Sequence, residues 1–236
     1  MVDETDVSEE MKWFYEGCAS KVLASLKRNS INAQYVANRQ EALTTVLGLI
    51  SDGASVSRAD SVTLDQIGII PELKKCGRYK IIHPLERRED GSLIFESDER
   101  QRMYREIFSC DVFLTGTNAV TLDGKLVNVD GSGNRVAPMI FGPNKVIIVA
   151  GVNKIVRDVD EALARIREFA APVNAKRHIL KHNMPGYADA PCVRTGKCVD
   201  CKSDYRSCNY TVVIEGAMLT AKGRINVVLV GEELGI

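Results

Sequence analysis

Apolar residues recur along the chain in two spacings, one typical of helices and one typical of short buried strands. Apolar residues three and four positions apart, with charges on the opposite face, predict amphipathic helices at residues 7–28, 40–50, 98–108 and 160–170 and a helix start at residues 61–65. Short apolar runs bounded by turn residues predict strands at residues 32–37, 54–57, 79–83, 111–114, 145–150, 210–214 and 224–230.

The regular alternation of these helices and strands predicts the fold class. Strands that alternate with helices are typical of βαβ units around a mostly parallel sheet, and the unbroken apolar run at 145–150 is typical of a strand covered on both faces. We therefore expect a three-layer α/β/α architecture with residues 111–114 and 145–150 as central parallel strands. Asp123-Gly124, between two β-prone runs at residues 120–127, predicts a β-hairpin insertion.

Composition and charge narrow the class of protein without naming a function. With 236 residues and 45% hydrophobic residues, the chain suits a single domain spanning residues 1–236. Lys plus Arg (31) equals Asp plus Glu (31), so no net charge favours nucleic acid or an anionic membrane as a partner. The opening MVDETDVSEEMKWFYEG is acidic and has no signal-peptide core, which favours a cytoplasmic location.

Four of the seven cysteines lie in one short stretch, PCVRTGKCVDCKSDYRSCN. In a reducing compartment this density favours a metal-binding loop, at residues 184–210, over disulfides. Zinc and iron–sulfur centres both accept four thiolates, and the spacing matches neither a paired zinc ribbon nor the bacterial ferredoxin run. Disulfides and unliganded thiols stay open as alternatives; the candidate metal ligands are Cys192, Cys198, Cys201 and Cys208.

Two loops rich in small and polar residues predict a ligand site. One follows the predicted strand at 111–114, and ligands of open α/β sheets bind beyond the carboxyl ends of strands. The other, after the hairpin, begins like a dinucleotide-binding motif but has Val136 in place of the third glycine, which argues against a nucleotide cofactor. His178 and His182, four positions apart, are expected to be cations in the last turn of a helix.

A longer set of motifs resembles a known family. LTGTNAVTLDGKLVNVDGSGNRVAPMIFGPNKVIIVAGVNKIV, the cysteine stretch, DSVTLDQIGI and the closing VVLVGEELGI are similar to the LUD-domain family of lactate-utilisation proteins, from about Trp13 onward. The resemblance implies a fold like that of the NagB/RpiA/CoA-transferase group. It also implies a link to the oxidation of L-lactate to pyruvate beside iron–sulfur partner proteins. This redox setting favours a [4Fe-4S] cluster at the cysteines, with Zn²⁺ as the alternative.

The resemblance places a pocket for a small anionic metabolite on residues of three segments. The candidate ligand-binding residues are Ser61, Thr63, Thr115, Gly116, Thr117, Asn118, Asp130, Gly131, Gly133, Asn134 and Arg135. Arg135 is expected either to clamp a carboxylate or to form a surface salt bridge. Asp130 and Glu215 are weak candidates for catalytic carboxylates, and loop aspartates are more often turn formers.

Three functions from different classes follow from these residues. The first is a redox-associated component of lactate or related small-carboxylate oxidation that binds a small anion. The second is an enzyme of the isomerase or CoA-transferase type acting on an anionic metabolite. The third is an interaction module whose C-terminal loop is held by zinc without catalysis. A homo-oligomer is compatible with each.

Overall fold

Parallel strands form the central layer of the protein. The computed structural model describes residues 4–236, so the first three residues of the acidic opening stretch lie outside the described part. Within it, six strands pair in parallel in the order β1-β10-β7-β4-β2-β3. They are β1 (Asn32–Val36), β2 (Ser55–Arg58), β3 (Lys80–Ile82), β4 (Val112–Gly116), β7 (Lys145–Gly151) and β10 (Ile225–Val230).

The two strands predicted to be central, β4 and β7, are the two middle strands of this sheet. Along β7, Val146 and Ile148 pack into the core on one face, while Ile147 and Val149 pack into the core on the other. Because side chains alternate between the faces of a strand, both faces must be apolar where helices cover both. This explains the unbroken apolar run, and the predicted α/β class is confirmed.

Helices cover both faces of the sheet and complete three layers. One face packs against α1 (Ser8–Arg28), α5 (Ser97–Ile107) and α6 (Val136–Ile140), and the other against α2 (Arg39–Gly48), α3 (Val62–Ile67) and α4 (Ile69–Cys76). Asn38 caps α2 by accepting a hydrogen bond from the N–H of Glu41, and Ser61 caps α3 by accepting one from the N–H of Leu64. Sequence patterns located each of these helices except α4 and the short α6.

The predicted hairpin is present, and it belongs to a second sheet. β5 (Ala119–Thr121) and β6 (Leu126–Asp130) are antiparallel, and they join β8 (Ile155–Val156) and β9 (Tyr210–Ile214) in the order β8-β5-β6-β9. Residues 210–214 were expected to close the main sheet; instead β9 pairs antiparallel with β6. Its residues are exposed or half-buried, which suits the edge of a smaller sheet.

The helix predicted at residues 160–170 continues much further than its pattern indicates. It begins as α7 (Val159–Arg165), passes through a π-helical turn at Ile166–Ala170 and continues as α8 (Ala171–His182). Pro172 lacks an N–H and its ring clashes with a carbonyl one turn earlier, which accounts for the wider turn at this point. A short helix, α9 (Pro191–Thr195), follows at the start of the cysteine segment.

The tip of the hairpin packs against the C-terminal end of α1, and Gly124 makes this contact possible. Gly124 has a φ of +84°, and a Cβ there would lie 2.7 Å from the carbonyl carbon of Ser25. We expect Gly124→Ala to lower the free energy of unfolding by roughly 2–4 kcal/mol, because backbone strain adds to overpacking. Gly53→Ala is the matched control: Gly53 has a φ of +79° and open space around it, so only strain should appear. Equal losses for the two variants in urea unfolding would contradict the packing argument.

Candidate functional site

A cavity of about 660 Å³ lies at the carboxyl ends of the parallel strands. The segments that follow β2, β4 and β7 contribute Ser61, Thr117 and Lys154 to its wall. Opposite them lie the loop between β3 and α5, the side of α5 and the inner face of α8. This is the position where open α/β sheets bind ligands, and it is the position that the sequence predicted.

The structure brings most of the predicted ligand-binding residues together at this cavity. Those in its wall are Ser61, Thr63, Gly116, Thr117, Asn118, Asp130, Gly131, Asn134 and Arg135. Thr115 is buried in β4, and its hydroxyl donates to the Gly116 carbonyl; Gly133 is likewise outside the wall. Glu215 lies elsewhere, exposed and 3.4 Å from Lys125 Nζ.

Asp130 and Arg135 hold the cavity wall together. Asp130 Oδ1 accepts hydrogen bonds from the N–H groups of Ser132 and Gly133, and its Oδ2 accepts one from the N–H of Arg135. The Arg135 guanidinium donates to Asn118 Oδ1 at 2.8 Å, to Asn128 Oδ1 at 2.9 Å and to the Val129 carbonyl at 2.7 Å. Most donors of Arg135 therefore already have protein acceptors, which fits a positioning role better than a free clamp.

The cavity also contains cationic side chains that the sequence reading did not single out. Among the described residues, five cationic and two acidic side chains line it; the cations are Arg87, Arg100, Arg135, Lys154 and Arg177, and the acids are Asp60 and Asp130. Arg135 was already a candidate from the sequence; the other four cations come from separate helices and loops, so no local motif marks them. Only the strand order that gathers these segments could reveal the cluster.

Asp60 and Arg177 form the strongest ion pair of the site. Arg177 donates two hydrogen bonds to the Asp60 carboxylate, at 3.1 and 2.9 Å. Burial alone would raise the pKa of Asp60, but the hydrogen bonds and charge of Arg177, helped by His182 and Arg58, outweigh it and hold the pKa at about 2. The pair joins the segment after β2 to α8 across the cavity.

Two histidines extend this network along α8. Their Nδ1 atoms are 2.9 Å apart, so one must donate and the other accept. The Asn174 amide nitrogen lies 3.2 Å from His178 Nε2 and donates to it, so His178 carries its proton on Nδ1. His178 Nδ1–H then donates to His182 Nδ1. His182 therefore carries its proton on Nε2, which faces Asp60 Oδ2 at 3.8 Å. The opposite assignment would point a lone pair at the carboxylate. Burial lowers the pKa of His182 to about 4, so the expected last-turn cation is a neutral, buried donor near pH 7.

The cysteine segment forms part of the same wall. The backbone N–H of Asn209 donates to the Asp130 carbonyl, and its side-chain amide donates to the Gly131 carbonyl, each at 2.9 Å. The Tyr187 ring stacks on His178 with ring centroids 4.6 Å apart. Between residues 191 and 210 no side chain is buried. The segment therefore reaches the cavity without a core of its own.

The four candidate thiols are neighbours without forming a finished ligand set. Burial raises the pKa of Cys192, and the nearby thiols of Cys201, Cys208 and Cys198 raise it further. No group of three His, Cys, Asp or Glu side chains in residues 4–236 is arranged to hold a metal ion. Arg206 donates hydrogen bonds to the carbonyls of Cys201 and Cys208, and its Nε is buried without a partner in the described chain.

This arrangement fits a thiolate-bound metal centre in its donor chemistry. Four thiols lie on one short segment, and a buried guanidinium N–H suits a nearby sulfur carrying negative charge. The hydrogen bond that the Arg206 side chain makes with Cys208 raises the pKa of Arg206. These residues carry donors of the kind that such a centre needs, and the metal centre itself stays a prediction.

Fold and site together define a three-layer α/β protein with a cation-rich cavity at the carboxyl ends of its strands. The LUD domain family model matches residues 19–230, and the chain belongs to this family. The resemblance drawn from the sequence is thus confirmed. No protein of curated function matches the chain. None of the helices in the described range is long and apolar enough to cross a bilayer.

Three solved structures are similar to the chain. A DUF162 family protein from Deinococcus radiodurans is similar at a TM-score of 0.53 and 13% identity, covering 92% of this chain and 98% of that chain. An eIF2B delta from Chaetomium thermophilum (TM-score 0.36, 14% identity, 53% and 50% covered) and a ribose 5-phosphate isomerase from Plasmodium falciparum (TM-score 0.33, 14% identity, 50% and 52% covered) also match. At these identities the likeness to the Deinococcus protein speaks for the fold alone.

Proposed function

We propose that the chain binds a small organic anion in this cavity and carries a thiolate metal centre beside it, as a redox-associated component of lactate or related small-carboxylate oxidation. The observation that carries the proposal is an excess of unpaired positive charge at the cavity. The finer assignment to lactate draws on the family to which the chain belongs.

The charge excess follows from the pairing of the two acids. Asp60 is paired with Arg177, and Asp130 is held by backbone N–H groups and lies 3.5 Å from Arg135 Nε. Arg87, Arg100 and Lys154 have no carboxylate within 4 Å among the residues that the structure describes. Cations crowded at a partly desolvated wall repel one another, so an anionic ligand would stabilise the site.

The positions of the cysteines support the redox half of the proposal. Cys192, Cys198, Cys201 and Cys208 would hold the centre, for which we favour a [4Fe-4S] cluster with Zn²⁺ as the alternative. When bound, an iron–sulfur cluster supplies one-electron transfer. The chain's own residues do the rest: Arg206 donates hydrogen bonds next to the thiols, and Asn209 ties the segment to the Asp130 loop at the cavity.

We expect Arg100→Gln to weaken anion binding. Arg100 lines the cavity from α5, and losing one charge-assisted contact should raise the dissociation constant roughly 10- to 100-fold. Calorimetric titration with L-lactate, pyruvate and inorganic phosphate, at fixed ionic strength, measures this. Iron–sulfur partner proteins can be tested next, by co-purification with the loaded chain.

Arg105→Gln is the matched control for this titration. Arg105 lies on the same helix, is exposed and is outside the cavity, so it should leave the dissociation constant unchanged. A wild-type chain with no affinity for any of the three anions would contradict the proposed function. So would an equal loss of affinity in the Arg105 variant, since that would indicate only a long-range charge effect.

A further inference from the structure

Lys154 is a buried amine at the cavity wall, and no carboxylate of the described residues pairs with it. The residue is 3% exposed, and Nζ makes its one hydrogen bond within the described chain with Thr63 Oγ1, at 3.0 Å. An ammonium group has three N–H donors, so two of them would lack a protein acceptor. In a cavity wall, these two donors are available to a hydrogen-bond acceptor on a bound molecule.

The charges that act on Lys154 are both positive. They are Arg165 from α7 and Arg135 from the loop after β6, and no carboxylate is among them. Burial, followed by these two charges, lowers the pKa of Lys154 to about 7. Near neutral pH the amine is therefore partly neutral while the cavity holds no anion.

The Thr63 hydroxyl lies beside this amine, and the Ser61 hydroxyl belongs to the same turn at the start of α3. Ser61 and Thr63 flank the end of β4, where Gly116 lacks a side chain; a Cβ there would lie 2.9 Å from Ser61 Oγ and 3.8 Å from Thr63 Oγ1. A side chain at position 116 would therefore crowd the Ser61 hydroxyl and contact that of Thr63. Hydroxyl donors beside an amine are the groups that bind the oxygens of a carboxylate or a phosphoryl group.

We propose that Lys154, Thr63 and Ser61 form the subsite for one oxyanion group of the ligand, a carboxylate or a phosphoryl group, and that Lys154 takes up a proton as the anion enters. The inference rests on the proposed function, because it specifies how the same cavity receives its anion. The proton moves from solvent to the lone pair of Nζ, and no covalent bond to the ligand forms. The arriving negative charge favours the ammonium form and so drives the uptake.

Proton uptake can be measured on the wild-type chain by calorimetry in buffers of different ionisation enthalpy. Inorganic phosphate, which itself titrates in this pH range, is titrated separately for its affinity alone. Binding of L-lactate should take up almost no proton at about pH 6, where Lys154 is already charged. At about pH 8 it should take up a large fraction of one proton per anion. Which of the two anions binds more tightly then distinguishes a carboxylate from a phosphoryl subsite.

The pH profile separates Lys154 from the other titratable groups of the cavity. On α8 and the segment after β2, the titratable groups that line the cavity are His178, His182 and Asp60. Burial lowers the pKa of both histidines, that of His182 to about 4, so uptake by them would grow toward acid pH and vanish near pH 8. Uptake that falls between pH 6 and pH 8 overturns the assignment to Lys154.

Lys154→Met gives an independent arm, since it replaces a buried amine by an apolar side chain of similar length. We expect it to abolish proton uptake and to weaken anion binding at least about tenfold. Anion binding with unchanged uptake in this variant overturns the inference while leaving the proposed function standing. If the wild type binds neither anion, both the inference and the proposed function are contradicted. If the variant does not fold, the wild-type pH profile still decides.

Discussion

Replacing Cys201 by serine should abolish the proposed metal centre and loosen the cysteine segment while the sheet domain stays folded. No side chain of residues 191–210 is buried, so packing does little to offset an ordering cost of roughly 1–2 kcal/mol per residue. Thiolate ligation would supply that free energy, since structural metal binding is worth about 10 kcal/mol or more. The main core lies in the six-stranded sheet, away from this segment.

The measurement is metal content and limited proteolysis of chains purified without oxygen. Wild type should hold one centre per chain and resist cleavage between residues 191 and 210, whereas Cys201→Ser should lose the metal and be cut there. Cys76→Ser is the matched control, because Cys76 is an exposed thiol at the end of α4. Visible charge-transfer bands would identify an iron–sulfur cluster. A colourless chain that holds one zinc ion would identify the zinc alternative. If the wild-type chain holds neither iron nor zinc, the proposed metal centre is contradicted.

Much of the fold was predictable because its main strands are buried on both faces. The apolar run of β7 can pack only as a covered strand or a buried helix, and its length and flanking turns favoured the strand. Asp123-Gly124 indicated the hairpin equally directly. Residues 210–214 were assigned to the wrong sheet because a short apolar run predicts a strand without identifying the strand with which it pairs.

The site was predictable only where backbone geometry leaves a local mark. Gly116 and the Asp130 loop are such marks, since small residues at a strand end indicate a close approach. Lys154, Arg100 and Arg177 leave none: in sequence, a lysine in a loop or an arginine on a helix has the same appearance whether it faces solvent or a cavity. Their position at the cavity becomes visible only when strand order brings three distant segments together.

Asp60→Asn should be the most destabilising substitution at the cavity. It leaves the Arg177 guanidinium, 17% exposed, without its carboxylate. Removing one partner of a fully buried ion pair costs roughly 3–5 kcal/mol, and we expect about 2–3 kcal/mol for this half-buried pair. Urea unfolding at neutral pH measures this loss. The control is Asp52→Asn, which breaks an ion pair between exposed side chains, Asp52 and Arg78; it should cost at most about 1 kcal/mol.

Acid pH provides a second test of the same ion pair. The folded-state pKa of Asp60, about 2, lies below its ordinary value of 3.8, so the ionised form is favoured in the folded protein. The ionised Asp60 carboxylate therefore contributes about 2 kcal/mol to the free energy of unfolding. This contribution is fully present above about pH 4 and is lost as the pH falls toward 2. In Asp60→Asn this part of the pH dependence should disappear. If wild type and variant lose stability in parallel over that range, Arg177 does not hold the Asp60 carboxylate in the ionised form as described.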